Sequence, residues 1–120
     1  MKKIFLISIL LFGYTIQGIA QDNASKKKIV KTSFWVNGNC EMCQARIQKE
    51  ALKTKGVKMA NWQIESKMLS VVYNQTKCSV NDIKQSVVDV GHDSKGYTAT
   101  DEAYKNLHVC CKYDRRNKPD

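Results

Sequence analysis

Two cysteines separated by two residues, in the run Cys40-Glu41-Met42-Cys43, are the residues of this 120-residue chain best suited to chemistry. Each can present a thiolate, and a two-residue spacer lets both sulfurs face one ion. Soft sulfur ligands suit Cu(I), Hg(II), Cd(II) or Zn(II) rather than ions that prefer oxygen. Two ligands leave such an ion open on one side, whereas four ligands make a closed structural site. The pair therefore predicts a soft-metal site from which an ion can be passed on.

A strand and a helix are predicted on either side of the cysteine pair. Residues 29–36 are rich in β-branched and aromatic side chains, and Phe34 and Val36 alternate with polar neighbours. Residues 40–55 lack proline and glycine, and Gly56 stands where a helix would end. Three apolar residues of this stretch recur at every fourth position: Cys43, Ile47 and Ala51. The cysteines thus fall at a helix start, where unpaired N–H groups and the helix dipole lower a thiol pKa.

A hairpin and a second helix follow along the chain. Strands are predicted over residues 57–64 and 69–73, and their short polar connection favours an antiparallel hairpin. A helix is predicted over residues 80–90, because four aliphatic residues share one face: Val80, Ile83, Val87 and Val90. Ser79 and Asp82 have the spacing of a capping box at its start.

A short fourth strand is predicted over residues 96–100, after the glycine that ends the second helix. The order strand, helix, strand, strand, helix, strand is that of an α+β, ferredoxin-like βαββαβ sandwich. We therefore expect two helices on one face of a four-stranded antiparallel sheet.

Residues 36–51, VNGNCEMCQARIQKEA, resemble the heavy-metal-associated (HMA) domain. That family includes copper chaperones, the metal-binding domains of copper-transporting ATPases and the periplasmic mercury-binding protein. The resemblance continues through residues 55–57, 71–73 and 91–93 and covers residues 29–100. In the family the two cysteines of the first loop bind the metal, which implies the same role for Cys40 and Cys43.

The chain departs from the family pattern at two places. The family usually has Gly-Met-x before the first cysteine, and here residues 37–39 are Asn-Gly-Asn, without the methionine that supports the loop. After the second helix, where the family usually has tyrosine, phenylalanine or lysine, this chain has His92.

His92 and Cys78 are the candidate auxiliary ligands. We expect the end of strand one, the end of strand three and the start of strand four to lie at one edge of the sheet, which would bring both residues near Cys40. His92 is then a third ligand, a hydrogen-bond donor to a thiolate or a solvated loop residue. Cys78 is a third sulfur, a disulfide partner or a small buried residue.

Residues 101–120 form a C-terminal tail beyond the family pattern, and the tail contains Cys110 and Cys111. Residues 101–107 can form two helical turns. Adjacent cysteines project in different directions in most backbones, so the pair is predicted to chelate poorly, while redox pairing or a bridge to another segment remains open. In an oxidising compartment these residues are equally compatible with a disulfide bond and with metal binding.

Residues 1–20 have the pattern of a secretory signal peptide: two lysines, an apolar core over residues 4–16, and small residues before residue 21. This apolar core is shorter than the roughly 20 residues that cross a bilayer. Residues 21–28 are predicted to be a disordered polar leader. We expect a periplasmic or secreted protein with no stable membrane insertion after cleavage.

Three classes of function fit the cysteines: a soft-metal-binding module, a dithiol redox protein and a disulfide-stabilised interaction domain. Only Pro119 is a proline, so no cis-proline of the kind that accompanies thioredoxin-like chemistry is available in the core. Gln44 stands where a c-type haem site needs histidine, and a closed zinc site would need a second Cys-x-x-Cys. The metal-binding module, which is not an enzyme, accounts best for the pair and its placement.

The ion and the partners follow from the same reasoning. Cu(I) is the first candidate, and Hg(II), Zn(II) and Cd(II) are alternatives. A metal-transporting ATPase or another metal-binding protein is the expected partner, and a metal-bridged homodimer is compatible with two-sulfur ligation. Without the two lysines of the signal peptide, 18 basic residues stand against 11 acidic ones, which favours anionic partners only weakly. Export argues against a nucleic-acid partner.

Overall fold

The computed structural model describes residues 28–119, so the predictions for the signal peptide and nearly all of the leader lie outside it. None of the helices within residues 28–119 has the length and apolar character needed to cross a membrane. The described chain is α+β, and its elements run in this order: β1 (Ile29–Trp35), α1 (Glu41–Lys53), β2 (Val57–Trp62), β3 (Met68–Asn74), α2 (Val80–Asp89), α3 (Asp101–Lys105) and a 3-10 turn (Val109–Cys111).

The sheet is antiparallel, with β3 in the centre between β1 and β2. Ile29 lies opposite Asn74 and Trp35 opposite Met68, so β1 ends where β3 begins. The alternation in the sequence sets the inward face, because a strand turns successive side chains to opposite sides. The buried residues of that face are Phe34, Trp62, Leu69, Val71 and Tyr73.

Helix α1 buries the face that its apolar spacing predicts, whereas of the four residues predicted for α2 only Ile83 and Val87 are buried and Val80 and Val90 are half-buried. Helix α1 buries Cys43, Ile47 and Ala51, and α2 buries Ile83, Val87 and Val88. The capping box of α2 is present: the Ser79 hydroxyl accepts from the backbone N–H of Asp82, and the Asp82 carboxylate accepts from that of Ser79. The helices and the inward sheet face form one core cluster.

The predicted fourth strand over residues 96–100 is wrong: the sheet of the described chain has three strands. Residues 93–95 do reach the edge of β1, since the Asn37 N–H donates to the Asp93 carbonyl (2.7 Å) and the Lys95 N–H to the Trp35 carbonyl (3.0 Å). The chain then turns back, and Ser94 and Tyr97 exchange two backbone hydrogen bonds of 3.0 Å. These bonds use the backbone groups that a fourth strand would have offered to β1.

The C-terminal tail packs against the domain. Leu107, Cys111 and Tyr113 join the core cluster. The Tyr113 hydroxyl donates to the Gly91 carbonyl and accepts from the Asp93 N–H at 2.8 Å. The Arg115 guanidinium donates two hydrogen bonds, of 3.0 and 3.1 Å, to the buried Asp93 carboxylate. The tail is thereby anchored beside the loop that follows β1.

Candidate metal centre

The Sγ atoms of Cys40 and Cys43 lie 3.4 Å apart at the start of α1. Cys40 is the N-cap residue, and its carbonyl accepts from the Gln44 N–H at 3.0 Å. Its side chain makes no capping hydrogen bond, so the sulfur is directed to other partners. Cys40 is half-buried and Cys43 is fully buried. The two predicted primary ligands are therefore brought together, one accessible and one enclosed.

The Asn-Gly-Asn loop supports these sulfurs in place of the family's methionine. The Asn39 N–H donates to the Cys43 Sγ at 3.5 Å, and the Cys43 thiol donates to the Asn39 Oδ1 at 3.4 Å. A Cβ on Gly38 would meet the Cys43 Cβ at 3.0 Å and the Trp62 ring at 3.1 Å. Glycine suits this position because a larger residue would press on the Cys43 side chain and the Trp62 ring.

His92 lies inside the protein beneath this loop. Its Nδ1 is 2.9 Å from the Asn37 carbonyl, so Nδ1 carries the proton, and its ring stacks on Tyr113. Burial lowers the pKa of His92 to about 4, and the positive charge of Arg46 acts in the same direction, so the ring is neutral at pH 7. Its Nε2 has no hydrogen-bond partner within the described residues. His92 therefore positions the loop, and its ligation of a metal stays a prediction.

Cys78 does not lie near the cysteine pair, and the expected common edge is wrong for this residue. It follows the end of β3, which pairs with the start of β1, whereas Cys40 follows the end of β1. Because β1 and β3 are antiparallel, the end of β3 and the end of β1 lie at opposite ends of the sheet along the strand direction. Cys78 is buried beside Asn74, whose carbonyl lies 4.0 Å from its sulfur, and burial raises its thiol pKa.

Cys110 and Cys111, which the sequence placed in a separate tail, return to the cysteine pair. The Cys111 Sγ is 3.6 Å from the Cys40 Sγ and 3.9 Å from the Cys110 Sγ. The sulfurs of Cys40, Cys110 and Cys111 all lie within 4.8 Å of one another. The expectation that adjacent cysteines diverge is wrong here because a 3-10 turn, closed by the Cys111 N–H on the His108 carbonyl (2.8 Å), puts both sulfurs on one side.

Met42 adds a fifth sulfur that the sequence reading did not single out. The Cys110 thiol donates to the Met42 Sδ at 3.3 Å, and Met42 is 45% exposed on α1. Its place between the two ligand cysteines in the sequence was the available signal. All five cysteines are free thiols in this structure.

The thiols differ in how readily they lose a proton. Burial would raise the pKa of Cys40, but hydrogen bonds from the backbone and thiol of Cys43 and from the two tail thiols outweigh it and lower this pKa to about 7. Burial raises the pKa of Cys43 to about 12. Partial desolvation and hydrogen bonds to its neighbours raise the pKa of Cys110 to about 11. Cys40 therefore ionises more readily near neutral pH than Cys43 or Cys110.

Comparison with known proteins finds similarity at the level of structure. No protein-family model and no curated protein matches this sequence. The CopZ metallochaperone is 26% identical with a TM-score of 0.53, and the match covers 54% of this chain and 98% of that chain. Oxidized MerP from Ralstonia metallidurans, 24% identical with a TM-score of 0.53 over 55% of this chain and 93% of that chain, shares the fold.

The similarity of this chain to a copper-loaded domain identifies its family. The N-terminal domain of a potential copper-translocating P-type ATPase from Bacillus subtilis, solved in its Cu(I)-loaded state, has a TM-score of 0.51 over 53% of this chain. Its identity to this chain is 32% over 81% of its own length, and with that match the chain belongs to the heavy-metal-associated domain family.

Proposed function

We propose that the protein is an exported soft-metal-ion-binding protein that captures, buffers or hands over the ion through Cys40 and Cys43. One observation carries the proposal: the two sulfurs stand 3.4 Å apart at the start of α1, one reachable from solvent and one enclosed. The match to a Cu(I)-loaded domain supports copper as the first candidate, and the sulfur ligands suit Hg(II), Zn(II) and Cd(II) as well.

Capture begins at Cys40. Its pKa of about 7 makes a large share of this thiol a thiolate at neutral pH, so an incoming soft ion meets a charged ligand at the accessible position. Cys43 then loses its proton as its sulfur joins the ion. Metal affinity therefore rises with pH, because protons compete with the ion for both sulfurs.

Delivery of the ion to a partner also depends on the difference in exposure between Cys40 and Cys43. A thiolate of a partner can approach the ion beside the half-buried Cys40, while Cys43 stays enclosed by Asn39 and the core. The partner is a metal-transporting ATPase or another metal-binding protein, and a metal-bridged homodimer is the corresponding arrangement between two copies. The pattern of residues 1–20 supports export to the periplasm or the medium, and no enzymatic activity is assigned to the chain.

A dithiol redox function is the second candidate, and the lowered pKa of Cys40 beside a second thiol favours it. Catalysed reduction of a model disulfide separates the two functions. A redox protein would turn over many equivalents, whereas a metal-binding protein would react once per molecule.

The central experiment is a titration of purified, fully reduced protein with Cu(I), Hg(II) and Zn(II) against competing chelators. We expect one tightly held soft ion, with Cu(I) and Hg(II) bound more tightly than Zn(II). Replacing both primary ligands, Cys40→Ser with Cys43→Ser, should abolish tight binding. Unchanged affinities in that variant would remove the two cysteines from the function.

A further inference from the structure

We propose that Cys110 and Cys111 of the C-terminal tail are ligands of the same ion, so that this chain closes its metal centre with sulfurs from two ends of the sequence. The site then has Cys40, Cys110 and Cys111 as three thiolates and Cys43 as the fourth. This inference rests on the proposed function of the cysteine pair and changes the coordination of the ion from open to closed.

The distances between the sulfurs favour more than two ligands. An ion bound to sulfur at about 2.3 Å holds its ligand sulfurs about 3.8 Å apart in a tetrahedral site, about 4.0 Å in a trigonal site and about 4.6 Å in a linear site. The separations here are 3.4 Å for Cys40 and Cys43, 3.6 Å for Cys40 and Cys111, and 3.9 Å for Cys110 and Cys111. The sulfurs of Cys40, Cys110 and Cys111 therefore require little movement to bind one ion. Cys43 lies outside this group of three and joins it through its 3.4 Å approach to Cys40.

The tail is held in place by contacts that do not involve the sulfurs. Leu107 and Tyr113, on either side of the two cysteines, are buried in the core. The Lys112 ammonium donates to the carbonyls of Tyr104 (2.7 Å) and Lys105 (2.6 Å), which ties the turn to α3. The cysteines are therefore positioned before an ion arrives, and binding does not have to order a free segment.

The two tail cysteines have different places in the centre. Cys111 is fully buried and faces Cys40 from the protein side. Cys110 is exposed and its thiol rests on the Met42 sulfur, on the solvent side of the cluster. An arriving ion replaces this weak sulfur contact with a metal bond, and the Cys110 proton leaves to solvent. Cys110 is thus the ligand that covers the ion.

A centre of three or four thiolates suits ions that accept higher sulfur coordination, Cd(II), Zn(II) and Hg(II), and retains them more firmly than a two-sulfur site. The probe is Cd(II) alone, added to the fully reduced protein without oxygen. X-ray absorption at the cadmium edge counts the sulfurs, and competition with a chelator gives the affinity. We expect three or four sulfurs in the wild type.

Cys110→Ser carries the test because this exposed position can be changed without disturbing the core. We expect it to remove one sulfur from the cadmium shell and to weaken Cd(II) binding at least about tenfold. Cys111→Ala should act in the same direction, with circular dichroism used to verify the fold of this buried variant. Cys78→Ser is the matched control, since it removes a thiol at the opposite edge of the sheet and should change neither measurement.

The outcomes separate this inference from the proposed function. Two sulfurs in the wild type, with Cys110→Ser as tight as the wild type, would overturn the closed centre and leave the cysteine pair as the site. Tight binding that survives Cys40→Ser with Cys43→Ser would overturn the proposed function. A wild type that binds no soft ion would overturn both.

Discussion

The Cys111 sulfur lies 3.6 Å from the Cys40 sulfur, although 71 positions separate them in the sequence. This approach depends on how the tail packs, because Cys111 follows α3 and precedes the segment anchored on Asp93. The carboxylate of Asp93 accepts from Arg115 and from the Ala99 N–H, while its backbone carbonyl pairs with the loop that carries the cysteines. The tail and the loop that carries Cys40 are therefore linked through one buried residue, Asp93.

Arg115→Ala tests this linkage. The variant leaves the buried Asp93 carboxylate without its bidentate partner, so we expect the free energy of unfolding to fall by roughly 2 to 3 kcal/mol, below the range for a fully buried pair because Arg115 is partly exposed. Denaturation with urea measures the change. Arg116→Ala is the control: its pair with Asp114 is exposed, and its loss should leave the free energy of unfolding nearly unchanged.

The same two variants separate stability from metal binding. If the tail supplies ligands, Arg115→Ala should also weaken Cd(II) binding at temperatures where the domain remains folded, and Arg116→Ala should not. Equal affinities in the two variants would show that the anchoring of the tail and the metal centre are independent.

Most elements of the domain were predictable because their signals are local. Alternation along β3 and the Ser79 capping box specify a strand and a helix from neighbouring residues alone, and both formed close to the predicted bounds. The predicted fourth strand did not form because local turn and cap features compete with the strand-like composition of this stretch. Residues 96–100 suit a strand, but Gly96 adopts a φ of 81°, and the Ser94 turn together with the Thr100 cap of α3 takes this stretch away from the sheet.

The site was predictable only in part. The Cys40 and Cys43 pair follows from spacing, whereas the place of Cys78 depends on strand direction, and Cys78 lies at the opposite end of the strands from the predicted position. The return of Cys110 and Cys111 depends on contacts between distant segments. The apolar residues Leu107 and Tyr113 within a polar tail were the signal that this segment packs, and both are buried.

His92 should make the protein lose stability as pH falls. Its pKa is about 4 in the folded state and about 6.5 when unfolded, so below pH 6.5 the unfolded chain binds the proton more readily. The loss begins near pH 6.5, continues to about pH 4 and reaches roughly 3 kcal/mol. Urea denaturation across this range, compared with His92→Phe, isolates the effect. Parallel profiles for the two proteins would contradict the buried neutral histidine.

The thiol of Cys40 should react before that of Cys110 despite lower exposure. Iodoacetamide attacks thiolates, and the pKa values are about 7 for Cys40 and about 11 for Cys110. At pH 7 we expect Cys40 in the reduced, metal-free protein to be alkylated at least about tenfold faster, with a rate that rises through a midpoint near pH 7. Mass spectrometry of the digested protein identifies the modified residue. Faster labelling of Cys110 would show that exposure, not ionisation, controls reactivity.

Metal should protect the cluster from oxidation. In the metal-free protein, Cys43 and Cys111 each have a sulfur within 3.6 Å of the Cys40 sulfur, so a mild disulfide oxidant can take two electrons and two protons from a pair of thiols that includes Cys40. A bound ion is coordinated through the lone pairs of these sulfurs. The thiolates then cannot use those lone pairs to attack the disulfide oxidant. We expect thiol counting after glutathione disulfide treatment to show a loss of two thiols without metal and none with one equivalent of Cd(II).

Cys78 is the internal control for this experiment. It should remain reduced in both states, because it lies at the opposite end of the strands from the cluster. Equal losses with and without Cd(II) would mean that the ion binds outside the cluster.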